Sequence, residues 1–186
     1  MEEKLKQANN SCLKIVLFGP ECTGKTTLAK QLADHYNTLW APEYSRQYAE
    51  EKLAINKTLT KKDVLPIAVG QMKLENYYSE KVSKILFCDT NLLETKLYSE
   101  MIYDGYCPKI VKKFAVRNTY NLYILTNTDI PWENDDVRNR SDKREQMFIR
   151  FKNTLEEMNL PFITVSGNEK SRMSTAIREI DALLNQ

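Results

Sequence analysis

The chain alternates short apolar runs with longer segments of helical periodicity. The five runs are LKIVLF, NTLWA, KILFC, YNLYILT and PFITV, at residues 13–18, 37–41, 84–88, 120–126 and 161–165. Most of them are continuously apolar, as is typical of strands buried on both faces of a sheet. The segments between them place apolar residues three and four positions apart, as amphipathic helices do. This alternation predicts an α/β fold with a parallel sheet covered by helices on both faces.

The position of a ligand site follows from this fold class. In open parallel sheets, ligands bind beyond the carboxyl ends of the strands. The loops that follow the five apolar runs are therefore the places where functional residues are expected. The length of 186 residues suits one domain. We expect a flexible leader at residues 1–12 and a single domain at residues 13–186.

Composition argues against several classes of protein. The net charge of +2, with no basic stripe, argues against a nucleic-acid partner. No run approaches the roughly 20 apolar residues of a membrane span, and the charged start lacks the apolar stretch of a secretory signal. The four cysteines are not at metal-ligand spacing, and the single histidine cannot complete a zinc set. Free thiols suit a reducing cytosol, so we expect a cytoplasmic protein.

The segment GPECTGKT at residues 19–26 fits a phosphate-binding loop. It joins the first predicted strand to the first predicted helix, which is the context that this motif requires. Glycine tolerates unusual backbone angles, so successive N–H groups can surround a phosphate at the positive end of the helix. Lys25 is the expected cation for the ATP phosphates, and Thr26 is an expected Mg²⁺ ligand. The predicted nucleotide-binding residues are Gly19, Pro20, Glu21, Cys22, Thr23, Gly24, Lys25, Thr26 and Thr27.

A carboxylate ends the third predicted strand. Asp89, in FCDTN, could hold Mg²⁺ opposite Thr26, directly or through water. Alternatively, Asp89 caps the helix that follows, and the two roles can coexist. With a phosphate-binding loop nearby, we favour the catalytic and metal-binding role.

The segment APEYSRQY, after the second predicted strand, supplies candidates for contact with a phosphate acceptor. Glu43 could take a proton from an attacking hydroxyl or position that hydroxyl. Arg46 could bind phosphate or acceptor oxygens, and Tyr44 lies between them in the sequence. The alternative is an ordinary helix start with an acidic first turn and an exposed arginine.

A dense run of charges, PWENDDVRNRSDKRE, follows the fourth predicted strand at residues 131–145. Most such runs are solvated surface, but this position also suits a lid over a triphosphate. In a lid, Arg138 and Arg140 would neutralise charge in the transition state and close the site. Arg144 is a weaker candidate because it belongs to the next predicted helix. Closure would also keep water away from the γ-phosphate.

Two segments argue against a GTP-dependent switch. TNTD at residues 126–129 lacks the lysine of the Asn/Thr-Lys-x-Asp element of guanine-specific proteins. DTNL, after the third predicted strand, lacks the glycine that senses the γ-phosphate in those proteins.

Taken in order, GPECTGKTTLA, EYSR, Gly70-Gln71, FCDTN and WENDDVRNRSDKR resemble the kinase domain of NadR-type proteins. The resemblance extends over residues 13–184, and the spaced set is much more specific than the loop motif alone. It implies a P-loop kinase, for which we expect the strand order 2-3-1-4-5. The implied reaction is phosphoryl transfer from Mg-ATP to the 5′-hydroxyl of nicotinamide riboside, which gives nicotinamide mononucleotide for NAD salvage.

The resemblance also implies an acceptor pocket. Trp132 would attract the pyridinium cation of nicotinamide riboside by about 0.5–2 kcal/mol, although packing at a lid hinge is the alternative. Asp135 or Asp136 would add a negative charge or bind ribose hydroxyls. The predicted substrate-binding residues are Glu43, Tyr44, Arg46, Gln71, Asp89, Trp132 and Asp135. The adenylyltransferase and DNA-binding segments found in some NadR proteins are not expected in a chain of this length with one histidine.

Two other functions stay open at this point. The chain could phosphorylate another nucleoside or small metabolite, because the acceptor pocket is the least constrained part of the site. It could also be a regulatory module that binds ATP without an acceptor. A panel of acceptors would separate these alternatives.

Overall fold

The computed structural model describes residues 1–132 and 143–185. These residues contain a five-stranded parallel sheet in the order β2-β3-β1-β4-β5. The strands are β1 (Leu13–Phe18), β2 (Leu39–Ala41), β3 (Ile85–Asp89), β4 (Leu122–Thr126) and β5 (Phe162–Val165). The predicted fold class and strand order are confirmed.

Seven α-helices within the described residues cover this sheet. They are α1 (Lys25–His35), α2 (Tyr44–Leu53), α3 (Val64–Ser79), α4 (Leu92–Ile102), α5 (Lys109–Arg117), α6 (Arg144–Glu157) and α7 (Glu169–Leu184). Helix α2 starts directly after Glu43, so this segment does begin a helix, as the alternative interpretation proposed. In residues 1–132 and 143–185, no helix has the length and apolarity needed to cross a membrane.

The core has two halves because β1 is buried on both faces. Val16 and Phe18 point into the half that includes residues of α3, α4, α5 and α6. Ile15 and Leu17 point into the half formed with α1 and α7. Phe18 packs edge-on against Tyr123, with ring centroids 5.5 Å apart. Burying one such side chain stabilises the fold by about 1.5–3 kcal/mol, so β1 is fixed firmly just before the phosphate-binding segment starts.

Strand pairing brings three loops together at one edge of the sheet. β1 lies between β3 and β4, with Leu17 opposite Asp89 and Phe18 opposite Leu125. The segments that follow these three strands therefore emerge side by side. The chain crosses from one side of β1 to the other at this place, which is where ligands bind in open α/β sheets.

The N-terminal segment, for which the sequence predicts a flexible leader at residues 1–12, packs against the domain in this structure. Leu5 is fully buried in the same half of the core as α3. Gln7 donates to the backbone oxygen of Thr119 at 3.0 Å, and Asn76 accepts from the backbone N–H of Ala8 at 2.8 Å. One apolar side chain and several hydrogen bonds hold the segment in place despite its polar composition.

Candidate active site

The segment 19–26 forms a tight loop between β1 and α1. Gly19 has φ +145°, and a Cβ atom there would lie 2.6 Å from the Thr126 hydroxyl, so no larger residue fits. Gly24 caps α1 in the left-handed region with φ +79°. Cys22 also has positive φ, 52°, which is uncommon for a residue with a side chain. These angles give the curled backbone that the glycine spacing predicts.

Lys25 is buried at the start of α1, and its ammonium group contacts three oxygens. Nζ donates to the backbone oxygens of Gly19 and Pro20, at 2.7 and 2.8 Å. It also forms an ion pair with Glu94, at 3.3 Å from Oε1. Because an ammonium group has three N–H donors, all of them are directed at oxygens within the protein.

Two buried arginines hold the other side of the loop. Arg144, at the start of α6, donates to the backbone oxygens of Cys22 at 2.6 Å and Ile130 at 2.9 Å. Arg172, in α7, donates to the backbone oxygen of Thr23 at 2.8 Å and pairs with Asp129. Burial lowers the pKa of Arg144 from its usual range, but a guanidinium stays charged. Cations from three helices thus fix the carbonyls of the loop.

The two predicted magnesium ligands are adjacent. The Thr26 hydroxyl donates to Oδ2 of Asp89 at 2.6 Å, and Asp89 is fully buried at the end of β3. Hydroxyl and carboxylate oxygens suit Mg²⁺, which often takes one or two protein ligands and completes its shell with phosphate and water. The described residues contain no group of three or more His, Cys, Asp or Glu side chains suited to a metal. The pair fits a metal carried by a nucleotide.

Glu94 is a site residue that sequence reasoning missed. It lies in the first turn of α4, which Asn91 caps by accepting from the Glu94 N–H at 3.0 Å. Its Oε2 accepts from the Gly19 N–H at 3.3 Å, while Oε1 faces Lys25. Burial raises the pKa of Glu94 to about 7; Lys25 opposes this shift, and the nearby charges of Glu43 and Asp89 add to it. A signal was available, because a charged residue among the leucines of NLLETKL needs a partner when it is buried.

Glu43 and Tyr44 lie at the start of α2. The Ser45 hydroxyl donates to the Glu43 carboxylate. Gln71 is buried and fixes this turn: it accepts from the Tyr44 N–H at 2.8 Å and donates to the backbone oxygen of Pro42 at 3.3 Å. The Tyr44 ring covers Gly70, where a Cβ atom would lie 2.0 Å from the ring. Gly70 and Gln71 therefore support the Glu43 turn through packing and hydrogen bonds.

Two depressions meet at this turn. A groove of about 1360 Å³ follows the phosphate-binding loop, and its lining includes Arg46 and Arg172. A second cavity, of about 370 Å³, lies under α2 and α4. The cavity is lined by three carboxylates and two aromatic rings, among other residues: Glu21, Glu43, Glu94, Tyr98 and Tyr103. Glu43 lines both spaces, so it lies where a ligand in the groove would approach a ligand in the cavity.

The last group of predicted residues is only partly within the described chain. Trp132 lies over the guanidinium of Arg144, 5.8 Å from Cζ to the ring centroid. Trp132 therefore contacts this arginine, and its contact with an acceptor stays a prediction. Asp135, Arg138 and Arg140 lie outside the described residues, so their roles stay predictions.

Comparison with known protein families identifies one family that matches most of the chain. A family described as "AAA domain" matches residues 14–172, which is most of the chain. The chain belongs to this AAA domain family. The resemblance inferred from the motifs is also confirmed, because the chain is homologous to NadR proteins over more than four fifths of its length.

Three known proteins illustrate the similarity. The trifunctional NAD biosynthesis/regulator protein NadR of Escherichia coli (strain K12) is 29% identical over 158 residues, covering 83% of this chain and 38% of that protein. A crystal structure of a NadR protein in complex with NR has a TM-score of 0.77 at 20% identity, covering 94% of this chain and 52% of that one. A deoxyadenosine kinase from M. mycoides has a TM-score of 0.61 at 15% identity, covering 91% of this chain and 100% of that one.

The chain corresponds to one part of its curated relative. The chain spans less than two fifths of the curated NadR protein that it matches. The two structures, at 20% and 15% identity, show a shared fold. That fold is one that nucleoside kinases use.

Proposed function

We propose that the chain is a kinase that transfers the γ-phosphoryl group of ATP to the 5′-hydroxyl of nicotinamide riboside and forms nicotinamide mononucleotide. The observation that carries the proposal is the position of Glu43, which lines both the groove along the phosphate-binding loop and the cavity under α2 and α4. A donor in one space and an acceptor in the other would meet at this carboxylate.

The groove supplies the nucleotide half of the site. Loop N–H groups at the start of α1 would hold the phosphates, since unpaired amides and the helix dipole favour an anion there. Lys25 would turn from its protein oxygens to the β- and γ-phosphates. Thr26 and Asp89 would hold Mg²⁺, which neutralises charge that develops on the phosphate oxygens.

The cavity supplies the acceptor half. Its volume of about 370 Å³ is in the range of small-molecule sites. Nicotinamide riboside carries a pyridinium cation, which carboxylates and aromatic rings both attract. The cavity offers both groups, with Glu21 and Glu43 as carboxylates and Tyr98 and Tyr103 as rings. Its chemistry therefore supports a cationic nucleoside.

The reaction needs positioning more than covalent chemistry. The acceptor 5′-oxygen would attack the γ-phosphorus, a new P–O bond would form, and the bond between that phosphorus and the β,γ-bridging oxygen would break. Glu43 would accept the hydroxyl proton or orient the hydroxyl. Arg46 lines the groove beside Glu43 and would bind phosphate oxygens. Arg138 and Arg140 would neutralise the transition state, and Trp132 and Asp135 would contact the acceptor, as their positions in the sequence suggest.

The comparisons support this choice of substrate. One structurally similar NadR protein was crystallised with NR, the abbreviation of nicotinamide riboside. The homologous Escherichia coli protein is named for NAD biosynthesis. The same proposal assigns the chain to the cytoplasm, where a NAD-salvage kinase would find its ATP.

Acceptor discrimination tests the proposal. Purified protein would be incubated with ATP and Mg²⁺ and, separately, with nicotinamide riboside, adenosine, deoxyadenosine, deoxycytidine or thymidine. We expect ADP release and a product of the mass of nicotinamide mononucleotide with the first acceptor only. Glu43→Gln is expected to lower kcat by about 100-fold or more with little change in ATP affinity, because it removes the proton acceptor.

The two open alternatives give different results in the same assay. Turnover of another acceptor but not of nicotinamide riboside would refute the substrate and leave the kinase mechanism standing. ATP binding with no turnover of any acceptor would favour a regulatory module.

A further inference from the structure

We propose that Glu94 is a positioning residue that competes with the phosphates of the nucleotide for Lys25, so that neutralising Glu94 strengthens ATP binding. This inference rests on the proposed function only as far as ATP binds at the phosphate-binding loop. It does not depend on the identity of the acceptor.

Lys25 already directs all three of its N–H donors at protein oxygens. Its three donors are directed at the backbone oxygens of Gly19 and Pro20 and at the carboxylate of Glu94, between 2.7 and 3.3 Å away. An ammonium group has no fourth donor. A phosphate oxygen can therefore bind Lys25 only if one of these three oxygens gives it up. The Glu94 carboxyl is the only one of the three groups that can carry a full negative charge, which it does at a pH above its pKa of about 7.

Glu94 lies in a buried place beside the phosphate-binding loop. Its side chain is almost fully buried, where charges are poorly screened by water. Glu94 also bonds the Gly19 N–H at 3.3 Å, so its negative charge lies beside the loop that would receive the triphosphate. The charge of Glu94 therefore opposes nucleotide binding twice, because it attracts Lys25 and repels the phosphates.

A second buried pair in the same protein provides a matched control. Lys14 in β1 and Glu75 in α3 are 3.2 Å apart, and their side chains are about as buried as those of Lys25 and Glu94. Lys14 lies near the beginning of β1, whereas Lys25 lies beyond its end. Glu75→Gln therefore neutralises a buried, lysine-paired glutamate at the other end of the strand.

The experiment compares Glu94→Gln with Glu75→Gln and the wild type. Binding of Mg²⁺ and a non-hydrolysable ATP analogue would be measured by isothermal titration calorimetry, with thermal unfolding as a check of folding. The glutamine side chain keeps an oxygen that can accept from the Gly19 N–H, so the loop keeps this anchor. We expect Glu94→Gln to lower the Kd by about 3- to 30-fold and Glu75→Gln to leave it within about twofold of the wild type.

The direction of the change decides the outcome. If Glu94 only supported the loop, its replacement would weaken binding, so an unchanged or higher Kd would overturn the proposal. An equal gain in affinity from Glu75→Gln would also overturn it, because the effect would then not be specific to Lys25. If Glu94→Gln does not fold, Glu94→Asp replaces it in the experiment. The shorter aspartate side chain reaches less far towards Lys25, so this variant should lower the Kd by a smaller factor. A raised Kd would overturn the proposal.

Failure of the proposed function has a different signature. A protein that binds the ATP analogue and shows the expected shift in Glu94→Gln but phosphorylates no acceptor would keep this inference and lose the kinase. A wild type that binds no ATP analogue would overturn both.

Discussion

The two buried lysine–glutamate pairs near opposite ends of β1 have similar geometry and different surroundings. Lys14 and Glu75 are 3.2 Å apart, and Lys25 and Glu94 are 3.3 Å apart. Side chains complete the first pair: Glu75 also accepts from the Tyr120 hydroxyl at 2.8 Å and from Gln7 at 3.0 Å. The second pair is completed by main-chain groups of the phosphate-binding loop.

This difference separates a structural pair from one that can change partners. Glu75 has neutral side-chain donors that stay when Lys14 moves, and the N-terminal segment covers it. Lys25 lines the nucleotide groove and Glu94 lines the cavity, so ligands can reach both partners. Burial and distance alone do not reveal the role of an ion pair; the groups around it do.

The largest expected effect is on the structural pair. Lys14→Met leaves Glu75 buried without its cation, so the free energy of unfolding should fall by about 3–5 kcal/mol. Urea denaturation would measure the loss. The double variant Lys14→Met/Glu75→Gln removes the uncompensated charge and should recover much of the stability; no recovery would show that packing, and not charge, dominates here.

Substitution in the pair Lys25–Glu94, here called the loop pair, should instead affect activity. In the kinase proposed above, Lys25→Ala would remove a cation from the reacting phosphates, so kcat/KM should fall by about 10²–10³-fold. The fold should survive, because Glu94, with a pKa of about 7, can take up a proton when its partner is lost. Lys30→Ala, on the exposed face of the same helix, is the control and should keep normal activity. Near-normal turnover by Lys25→Ala would remove the lysine from the mechanism.

The loop pair should also make stability depend on pH. The pKa of Glu94 is about 7 in the folded chain, above the 4.5 of an unperturbed glutamate. Between these values the folded protein holds a proton that the unfolded chain has released, so this contribution is full below about pH 4.5 and is lost as the pH rises through 7. Relative to Glu94→Gln, the wild type should lose roughly 3 kcal/mol at most over this range. Parallel curves of unfolding free energy against pH would contradict this prediction.

The smallest expected effect concerns the N-terminal segment, whose Gln7 contacts Glu75 of the pair Lys14–Glu75. Gln7→Ala removes hydrogen bonds to Glu75 and to the backbone of Thr119. The free energy of unfolding should fall by about 1–2 kcal/mol, with no change in ATP affinity. Gln47→Ala, which removes an exposed bond to Glu51, should cost less than about 0.5 kcal/mol. Equal effects of the two variants would mean that the N-terminal segment adds little.

Much of the fold could be predicted because its signals are local. Continuous apolar runs indicate buried strands, and the glycine spacing after β1 indicates a phosphate-binding loop. The contact between Thr26 and Asp89 follows from these two facts, because β1 and β3 are neighbours and end at the same edge.

The rest of the site depends on contacts between distant parts of the chain. Glu94 lies in an ordinary-looking helix, and its role depends on Lys25, far away in the sequence. Arg144 and Arg172 bind backbone oxygens of the loop, and carbonyl groups carry no sequence signal. The docking of residues 1–12 depends on Leu5 finding a gap in the core, which no local pattern records.

The arginine contacts to the loop also bear on the entropy of ligand binding. Arg144 and Arg172 hold the carbonyls of Cys22 and Thr23 whether or not Lys25 changes partners. A nucleotide would therefore meet a backbone whose conformational freedom was already lost on folding. The loss of conformational entropy on binding would therefore be smaller, and a larger share of the contact energy would contribute to the affinity for the nucleotide.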